Sequence, residues 1–327
     1  MTKLKLVSLF SGIGAFEKAL EILGVDYELV AFSEIDTYAI QSYCAIHNIF
    51  STKNLGDIKK VDYSSVPDFD LMTYGFPCQD ISSGGREAGL AEGSNTRSST
   101  LWDAMNLANT KKPKYMIAEN VKNLLSPKFK NDFDKWMKRL DQMGYNTYYS
   151  VINAKDFVPQ NRERVFVVSI RKDVDKGDFT FPTDYVSLTR LHNIMETDIL
   201  TKYYLRDEIQ QRLDFDADGW VSPENTNEIL RIGQVSSKKS QAGTVYHSDG
   251  IFPTVCAGTH GYAMGYVFET STKLARRITP LEAWKLMGFS EEDYQKVRDI
   301  MSDTQLYKQA GNSIVVDVAV ALLRQLF

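Results

Sequence analysis

Cys78 is the side chain of this 327-residue sequence best placed for covalent chemistry. It stands in Gly75-Phe76-Pro77-Cys78-Gln79, past the strand-like run FDLMTY, beside a proline that fixes the backbone and ahead of a loop rich in glycine and serine. A structural cysteine sits more naturally inside an apolar run. As a nucleophile it needs its thiolate stabilised by dipoles or positive charge, and Arg162 and Arg164 can serve if the fold brings them near. Glu119-Asn120-Val121 follows the apolar YMIA. With no basic residue adjacent in the sequence, Glu119 could stay protonated and donate to a ring nitrogen. In Gln160-Asn161-Arg162-Glu163-Arg164 the arginines are spaced by two, so they project to one side of an extended chain and could hold a base and a phosphate.

A second set of residues has the chemistry of a nucleoside site. Phe10-Ser11-Gly12-Ile13-Gly14 follows a strand and opens a helix, where Gly12 and Gly14 let the backbone turn sharply and approach a ligand. Glu34 lies twenty positions after Gly14, at the end of the next strand-like run, where a nucleotide-binding βαβ unit puts an acid for the ribose hydroxyls. Asp57 could accept a hydrogen bond from an adenine amino group, with Ile58 packing beside the base.

These residues need a scaffold, and the first half of the chain predicts one. LKLVSLF, FEKALEILG, YELVAFS, TYAIQSYCAIH, FDLMTYG, KYMIAEN and RVFVVSI alternate strand-like and helix-like segments, the rhythm of βαβ units on a mainly parallel sheet. The polar residues that end the strands would then gather at one edge of the sheet. Beyond about residue 184 the chain carries more Gly, Ser and Thr, with short β-like pieces (GTVYH, IFPTVCAG). It turns helical again at TPLEAWKL, opened by Thr279 and Pro280, and at VVDVAVALLRQLF, which could return to the first domain.

Composition narrows the function. No apolar run approaches the roughly 20 residues of a membrane span, so a cytoplasmic protein without a membrane partner is expected. The three cysteines are far apart and the four histidines have no ligand spacing, which predicts neither a disulfide framework nor a metal. A net charge of -4 opposes indiscriminate nucleic-acid binding. Local basic clusters at Lys111-Lys112-Pro113-Lys114, around Lys122, Lys128 and Lys130, at Lys238-Lys239 and at Arg276-Arg277 could still make one face positive.

Taken in order, LFSGIG, Glu34, PCQ, ENV, QNRER, TPLEAWKLMGF and AGNSIVVDV resemble the motif series of the DNA cytosine-5 methyltransferase family, bacterial or phage type, over residues 7 to 318. The resemblance implies a doubly wound α/β fold that binds S-adenosylmethionine, with a smaller, mainly β target-recognition domain inserted and DNA in the cleft between them. The expected domains are 1–186 plus 302–327 for catalysis and cofactor, 187–275 for target recognition, and 276–301 as hinge and return segment. Phe10 would stack on the adenine, Glu34 hold the ribose and Asp57 the adenine amino group. Ile35, Ile58 and Pro77 join this cofactor set, completed by Asn312 and Ser313.

The implied reaction is addition of Cys78 to C6 of a flipped-out cytosine, which makes C5 nucleophilic toward the methyl group. Glu119 would bind N3 and the exocyclic amine and Arg164 the O2 carbonyl, with Arg162 in the same catalytic set. The products are 5-methylcytosine and S-adenosylhomocysteine. The loop from Ser82-Ser83-Gly84-Gly85 to Ser98-Ser99 has the composition of a mobile lid. Ser82 and Gln241 match positions that fill the vacated space, and Gln79, Thr244 and Thr254 are further expected DNA contacts. Thr254-Val255 stands for the family's recognition pair, Thr244 occupies a place where some relatives carry an arginine, and Cys256 and His260 could be contacts as well as core or loop residues. Double-stranded DNA is the expected partner, with the protein acting as a monomer, and a cognate restriction endonuclease could share its site.

Three other readings compete. An RNA cytosine-5 methyltransferase would share the fold, but its branch carries a Cys-Phe-Thr signature absent here. A silent DNA-binding relative would usually have lost one of Cys78, Glu119, Arg162 and Arg164. A dinucleotide-dependent oxidoreductase would need the third glycine that FSGIG lacks.

Overall fold

Apolar runs separated by amphipathic helices build the larger of two units in a computed structural model that describes residues 3–82, 89–94, 96–213, 226–235, 240–257 and 264–327. Unit 1 comprises Met1–Ile152, Glu163–Pro182 and Ala319–Phe327; unit 2 comprises Asn153–Arg162 and Thr183–Val318. This partition groups residues 276–318 with the smaller sheet, where the sequence reading has a hinge and the start of a returning catalytic segment. The last nine residues belong to unit 1, and the Phe327 ring meets Tyr115 edge-on at 5.2 Å.

Unit 1 runs β1 (Leu4–Leu9), α1 (Ala15–Leu23), β2 (Tyr27–Ser33), α2 (Thr37–His47), β3 (Leu71–Tyr74), α3 (Leu101–Lys111), β4 (Tyr115–Val121), α4 (Lys130–Gln142), β5 (Tyr145–Asn153) and β6 (Glu163–Arg171). The sheet order is β2-β1-β3-β4-β6-β5. The first four are parallel, and β6 runs antiparallel to β4. All four residues of β3 are buried, as expected for a central strand covered on both faces. On α4, Phe133, Trp136 and Leu140 recur at helical spacing and are the buried stripe. Trp136 meets Tyr74 and Phe76 edge-to-face, at 6.2 and 5.6 Å between ring centroids.

The register decides where the chemistry goes. Leu9 pairs with both Ser33 and Tyr74, and Tyr74 pairs with Ala118, so these four residues form one row across the sheet. The next residues on the parallel strands, Glu34, Phe10, Gly75 and Glu119, therefore share a single rim. At about 4.8 Å per strand, Glu34 and Glu119 stand roughly 14 Å apart along it.

Unit 2 carries β7 (Arg231–Gln234), β8 (Thr244–His247), β9 (Tyr266–Glu269) and β10 (Leu274–Arg276) in the order β10-β9-β8-β7. Its helices are α5 (Asp207–Gln210), α6 (Pro280–Lys285), α7 (Glu291–Gln295) and α8 (Asp303–Asn312), while α9 (Val316–Leu323) begins in unit 2 and ends in unit 1. Thr279 caps α6 in a reciprocal box with Glu282, and Pro280 occupies its first turn. Residues 251–257 of IFPTVCAG form no strand, and Phe252 among them makes an isolated bridge to Gln160. Arg276, read from the sequence as part of a basic surface, is fully buried. It forks onto Glu282 at 2.7 and 2.8 Å and also pairs with Glu269. Among the described residues, no helix is long and apolar enough to cross a membrane, and no group of three or more His, Cys, Asp or Glu could hold a metal ion.

Candidate active site

At one end of the rim the turn after β1 is built for close approach. Phe10, Gly12 and Gly14 all have positive φ (54°, 55° and 81°), and the Gly12 amide donates to a Glu34 carboxylate oxygen at 2.9 Å. The other Glu34 oxygen accepts from the amides of Ile35 and Asp36 at 2.8 and 2.9 Å. Asn54, which the sequence reading overlooked, fixes Glu34 from the main chain. Its amide donates to the Glu34 carbonyl, and its oxygen accepts from the amides of Glu34 and Gly56. Asp57 is half-buried and caps the short turn that follows, accepting from the Lys59 amide at 3.1 Å.

The residues present fit S-adenosylmethionine. A Cβ built on Gly12 would meet nothing within 4 Å, so there is open space over the turn, next to a carboxylate that can accept from hydroxyls. Ile35 is 72% exposed and offers an apolar surface there. Ile58, expected to lie beside the base, is instead 2% exposed and belongs to the core, because the turn capped by Asp57 points it inward.

At the other end, the segment after β3 carries Cys78 and is fastened to β4. The buried Asn120 amide donates to the Phe76 carbonyl at 2.9 Å, and the Asn123 amide to the Ile81 carbonyl at 2.6 Å. The Ser98 hydroxyl donates to the Pro77 carbonyl at 2.6 Å, and the Cys78 carbonyl accepts from the amides of Ile81 and Ser82. Cys78 is partly exposed and not in a disulfide, while Gln79 is exposed beside it. Asp80 is a residue that sequence reasoning missed. Buried, it accepts from the amides of Arg97 and Ser98, and its carbonyl accepts from Gly89, so it ties together chain on both sides of 83–88. Ser83, Gly84 and Gly85 of the expected lid lie outside the described residues, as do Lys238, Lys239 and His260.

Glu119 does have a basic neighbour. In the antiparallel ladder it lies opposite Phe166, and Arg164, two residues earlier on the same face of β6, reaches it diagonally with Nε 3.1 Å from the carboxylate. The sequence conceals this pairing because the partners are 45 positions apart.

Arg162 departs from expectation more sharply. It precedes β6, so strand alternation does not align it with Arg164, and its side chain belongs to unit 2. At 4% exposure it donates to the carbonyls of Val255, Gly311 and Ser313 at 3.0, 3.1 and 2.8 Å. Its neighbours do similar work. Gln160 bridges the Leu286 carbonyl and the Val255 amide, and Asn161 accepts from Asn153 and, through its carbonyl, from Thr254. Gln241 donates to the Thr254 carbonyl at 3.0 Å. Thr244, expected to contact DNA, is 4% exposed, its hydroxyl donating to Ser240 and accepting from Gln234. Asn312 is exposed at the end of α8 and Ser313 is buried after it, both in unit 2.

A mixed sheet with this rim is the S-adenosylmethionine-dependent methyltransferase fold. The family profile described as C-5 cytosine-specific DNA methylase matches residues 4–327, and the chain belongs to that family. It is 32% identical to the orphan methyltransferase M.SPBetaI of Bacillus phage SPbeta, covering all of this chain and 98% of that one. It is equally 32% identical to the type II methyltransferase M2.ScrFI of Lactococcus lactis subsp. cremoris, over 99% of each. The crystal structure of S. pombe Dnmt2 methyltransferase superposes with a TM-score of 0.71 at 18% identity, over 99% of this chain and 98% of that one. The protein is a DNA (cytosine-5-)-methyltransferase: it transfers a methyl group to cytosine in DNA and uses S-adenosylmethionine.

Proposed function

We propose that Cys78 is the nucleophile of this transfer and that it attacks a cytosine turned out of a short, specific duplex sequence. The observation that carries the proposal is the fastening of the Cys78 segment to β4 by Asn120 and Asn123, next to the Glu119–Arg164 pair on the same rim. S-adenosylmethionine supplies, when bound, a methyl group on a positively charged sulfur. The Cys78 thiolate adds to C6, forming an S–C6 bond and moving the C5=C6 electron pair to C5, which takes the methyl group while the broken S–CH3 bond leaves its electron pair on a neutral thioether. Glu119 holds N3 and the exocyclic amine, and Arg164 neutralises charge that builds on O2. Loss of the C5 proton to water then expels Cys78 and restores the thiolate.

The base must leave the stack for C6 to be reached, at a cost of a few kcal/mol. Ser82 and Gln241 fill the space it vacates, and Gln79 and Thr254 contact the duplex. In the cofactor site Phe10 stacks on the adenine, Glu34 accepts from the ribose, Asp57 accepts from the adenine amino group, and Ile35 and Pro77 pack alongside. The enzyme acts as a monomer, and its setting is restriction-modification, the latter supported by the type II designation of M2.ScrFI.

Bisulfite sequencing of DNA treated with the protein and S-adenosylmethionine locates the target cytosine. A duplex with 5-fluorocytosine there tests the covalent step, because fluorine on C5 cannot leave as a proton does. A denaturation-resistant adduct with the wild type and none with Cys78→Ser is expected. Turnover by Cys78→Ser would refute the nucleophile, and an adduct on RNA but not on DNA would refute the substrate.

A further inference from the structure

The start of α3 has no cap of its own. Neither Arg97, which precedes the turn Ser98–Thr100, nor Thr100, which joins that turn to α3, makes a side-chain capping bond. The first amides of a helical stretch have no partner within it, and leaving them buried and unpaired is costly. Here they are met from seventeen positions earlier in the chain. Oδ2 of Asp80, a residue 8% exposed, accepts from the amides of Arg97 and Ser98 at 2.8 and 3.2 Å. The helix that follows is a fixed point. Leu101, Trp102, Ala104, Met105, Leu107 and Ala108 are buried along it, and the Trp102 ring nitrogen donates to the Leu90 carbonyl at 2.7 Å.

Asp80 also belongs to the turn that carries Cys78. The Cys78 carbonyl accepts from the amides of Ile81 and Ser82 at 2.9 and 2.7 Å, closing a turn with Asp80 inside it. One residue before Cys78, the Pro77 carbonyl accepts from the Ser98 hydroxyl at 2.6 Å. The two ties grip the chain just before and just after Cys78-Gln79, and both lead to the residues that open the helix. The bonds from Asn120 to Phe76 and from Asn123 to Ile81 lie one residue further out on each side. Without the inner ties the segment keeps its outer anchors, while the backbone at Cys78 is free to rotate between them.

We propose that Asp80 is a positioning residue for methyl transfer: by capping the helical stretch that leads into α3 it fixes the backbone around Cys78 and aims the sulfur at C6. The inference rests on the assignment of Cys78 as the nucleophile. The carboxylate oxygen serves here as an acceptor for two amides, so an amide oxygen in the same place should do the same work. A misplacement of about 1 Å costs a reaction about 100-fold, which sets the expected loss for Asp80→Ala between about 10-fold and about 100-fold.

The test is the single-turnover rate of adduct formation on the 5-fluorocytosine duplex at saturating S-adenosylmethionine, measured beside the melting temperature. Asp80→Ala should be slower by that factor, with dissociation constants for DNA and S-adenosylmethionine changed by less than about twofold. Asp80→Asn should recover most of the rate, a rescue that general loss of stability would not track. Ser98→Ala, which removes the tie to Pro77, should also be slow. The double variant Asp80→Ala/Ser98→Ala should lose less than the product of the two single losses, because both ties act on one piece of chain. A wild-type rate in folded Asp80→Ala overturns the proposal whatever the melting temperature, as does Asp80→Asn no faster than Asp80→Ala. If Asp80→Ala does not fold, Ser98→Ala decides, and a wild-type rate there overturns the clamp. A wild type that forms no adduct at all would instead refute the assignment of Cys78 and take this inference with it.

Discussion

Replacing Asn120 by aspartate isolates the bond that holds the Cys78 segment. The Asn120 amide nitrogen donates to the Phe76 carbonyl at 2.9 Å, and its oxygen accepts from the Val121 amide at 2.8 Å. Asn120→Asp keeps the size and the acceptor but turns a carboxylate oxygen toward a carbonyl oxygen in a buried place. Leaving such a group unpaired costs about 1–3 kcal/mol. If the cost falls on the arrangement that presents Cys78, the rate drops about 10–100-fold, at 1.4 kcal/mol per factor of ~10. Single-turnover transfer of a labelled methyl group at saturating DNA and cofactor reads this directly. Cofactor affinity should stay within about twofold, since the Glu34 end of the rim is untouched. A wild-type rate together with a lowered melting temperature would show that Asn120 only supports the scaffold, and the reasoning about Cys78 would fail.

Three further outcomes follow from the same contacts. Gly12→Ala should leave stability within about 1–2 kcal/mol yet weaken S-adenosylmethionine binding, because its methyl group enters open space over the turn; Gly14→Ala, with φ of 81° and a Cβ on top of His47, should cost more stability. An unchanged dissociation constant for Gly12→Ala would remove the turn from the cofactor site. Arg276→Met leaves Glu269 and Glu282 buried without their cation and should destabilise by about 3–5 kcal/mol in urea unfolding, where a loss under about 1 kcal/mol would mean that water reaches the pair. Partial burial raises the pKa of Glu21, but hydrogen bonds from His47 and Lys18 outweigh this and hold it at about 2 against an ordinary 4.5, so the stability it adds is present above pH 4.5 and disappears as pH falls through 2. The melting-temperature gap between wild type and Glu21→Gln should therefore close on acidification; a constant gap would refute the linkage.

The parallel half of the sheet was legible because its strands and helices are separate in sequence: YELVAFS and TYAIQSYCAIH match β2 and α2 to the residue. The Glu34 and Cys78 ends of the rim were legible for the same reason, since parallel strands send their carboxyl ends to one edge. What sequence spacing misses is contact across ladders and turns. Asn54, Asp80 and Asn123 act through hydrogen bonds to main-chain groups, and an asparagine in a loop gives no sign of which carbonyl it will meet. IFPTVCAG is apolar and β-branched enough for a strand, yet its backbone is claimed by the Gln160–Asn161 segment, which takes Phe252 and Val255.

The Gln160–Arg164 segment shows why a motif can be found by resemblance while its residues are misassigned by spacing. Five consecutive positions serve two structures. Gln160 and Arg162 are spent on main-chain groups of unit 2 and Asn161 on the side chains of Asn153 and Thr254 there, while Glu163 and Arg164 begin β6 of unit 1 and pair with Lys122 and Glu119. An arginine that fills a buried cluster of carbonyls needs the planar fork of its guanidinium as much as one that faces a substrate. Lysine substitution should therefore damage both sites, but in different observables. Arg162→Lys loses donors to buried carbonyls and should lower the melting temperature, with transfer following the folded fraction. Arg164→Lys keeps a cation near Glu119 and should fold normally, with its loss in the rate of transfer. If the two variants lost the same quantity, the division of labour drawn from their contacts would be wrong.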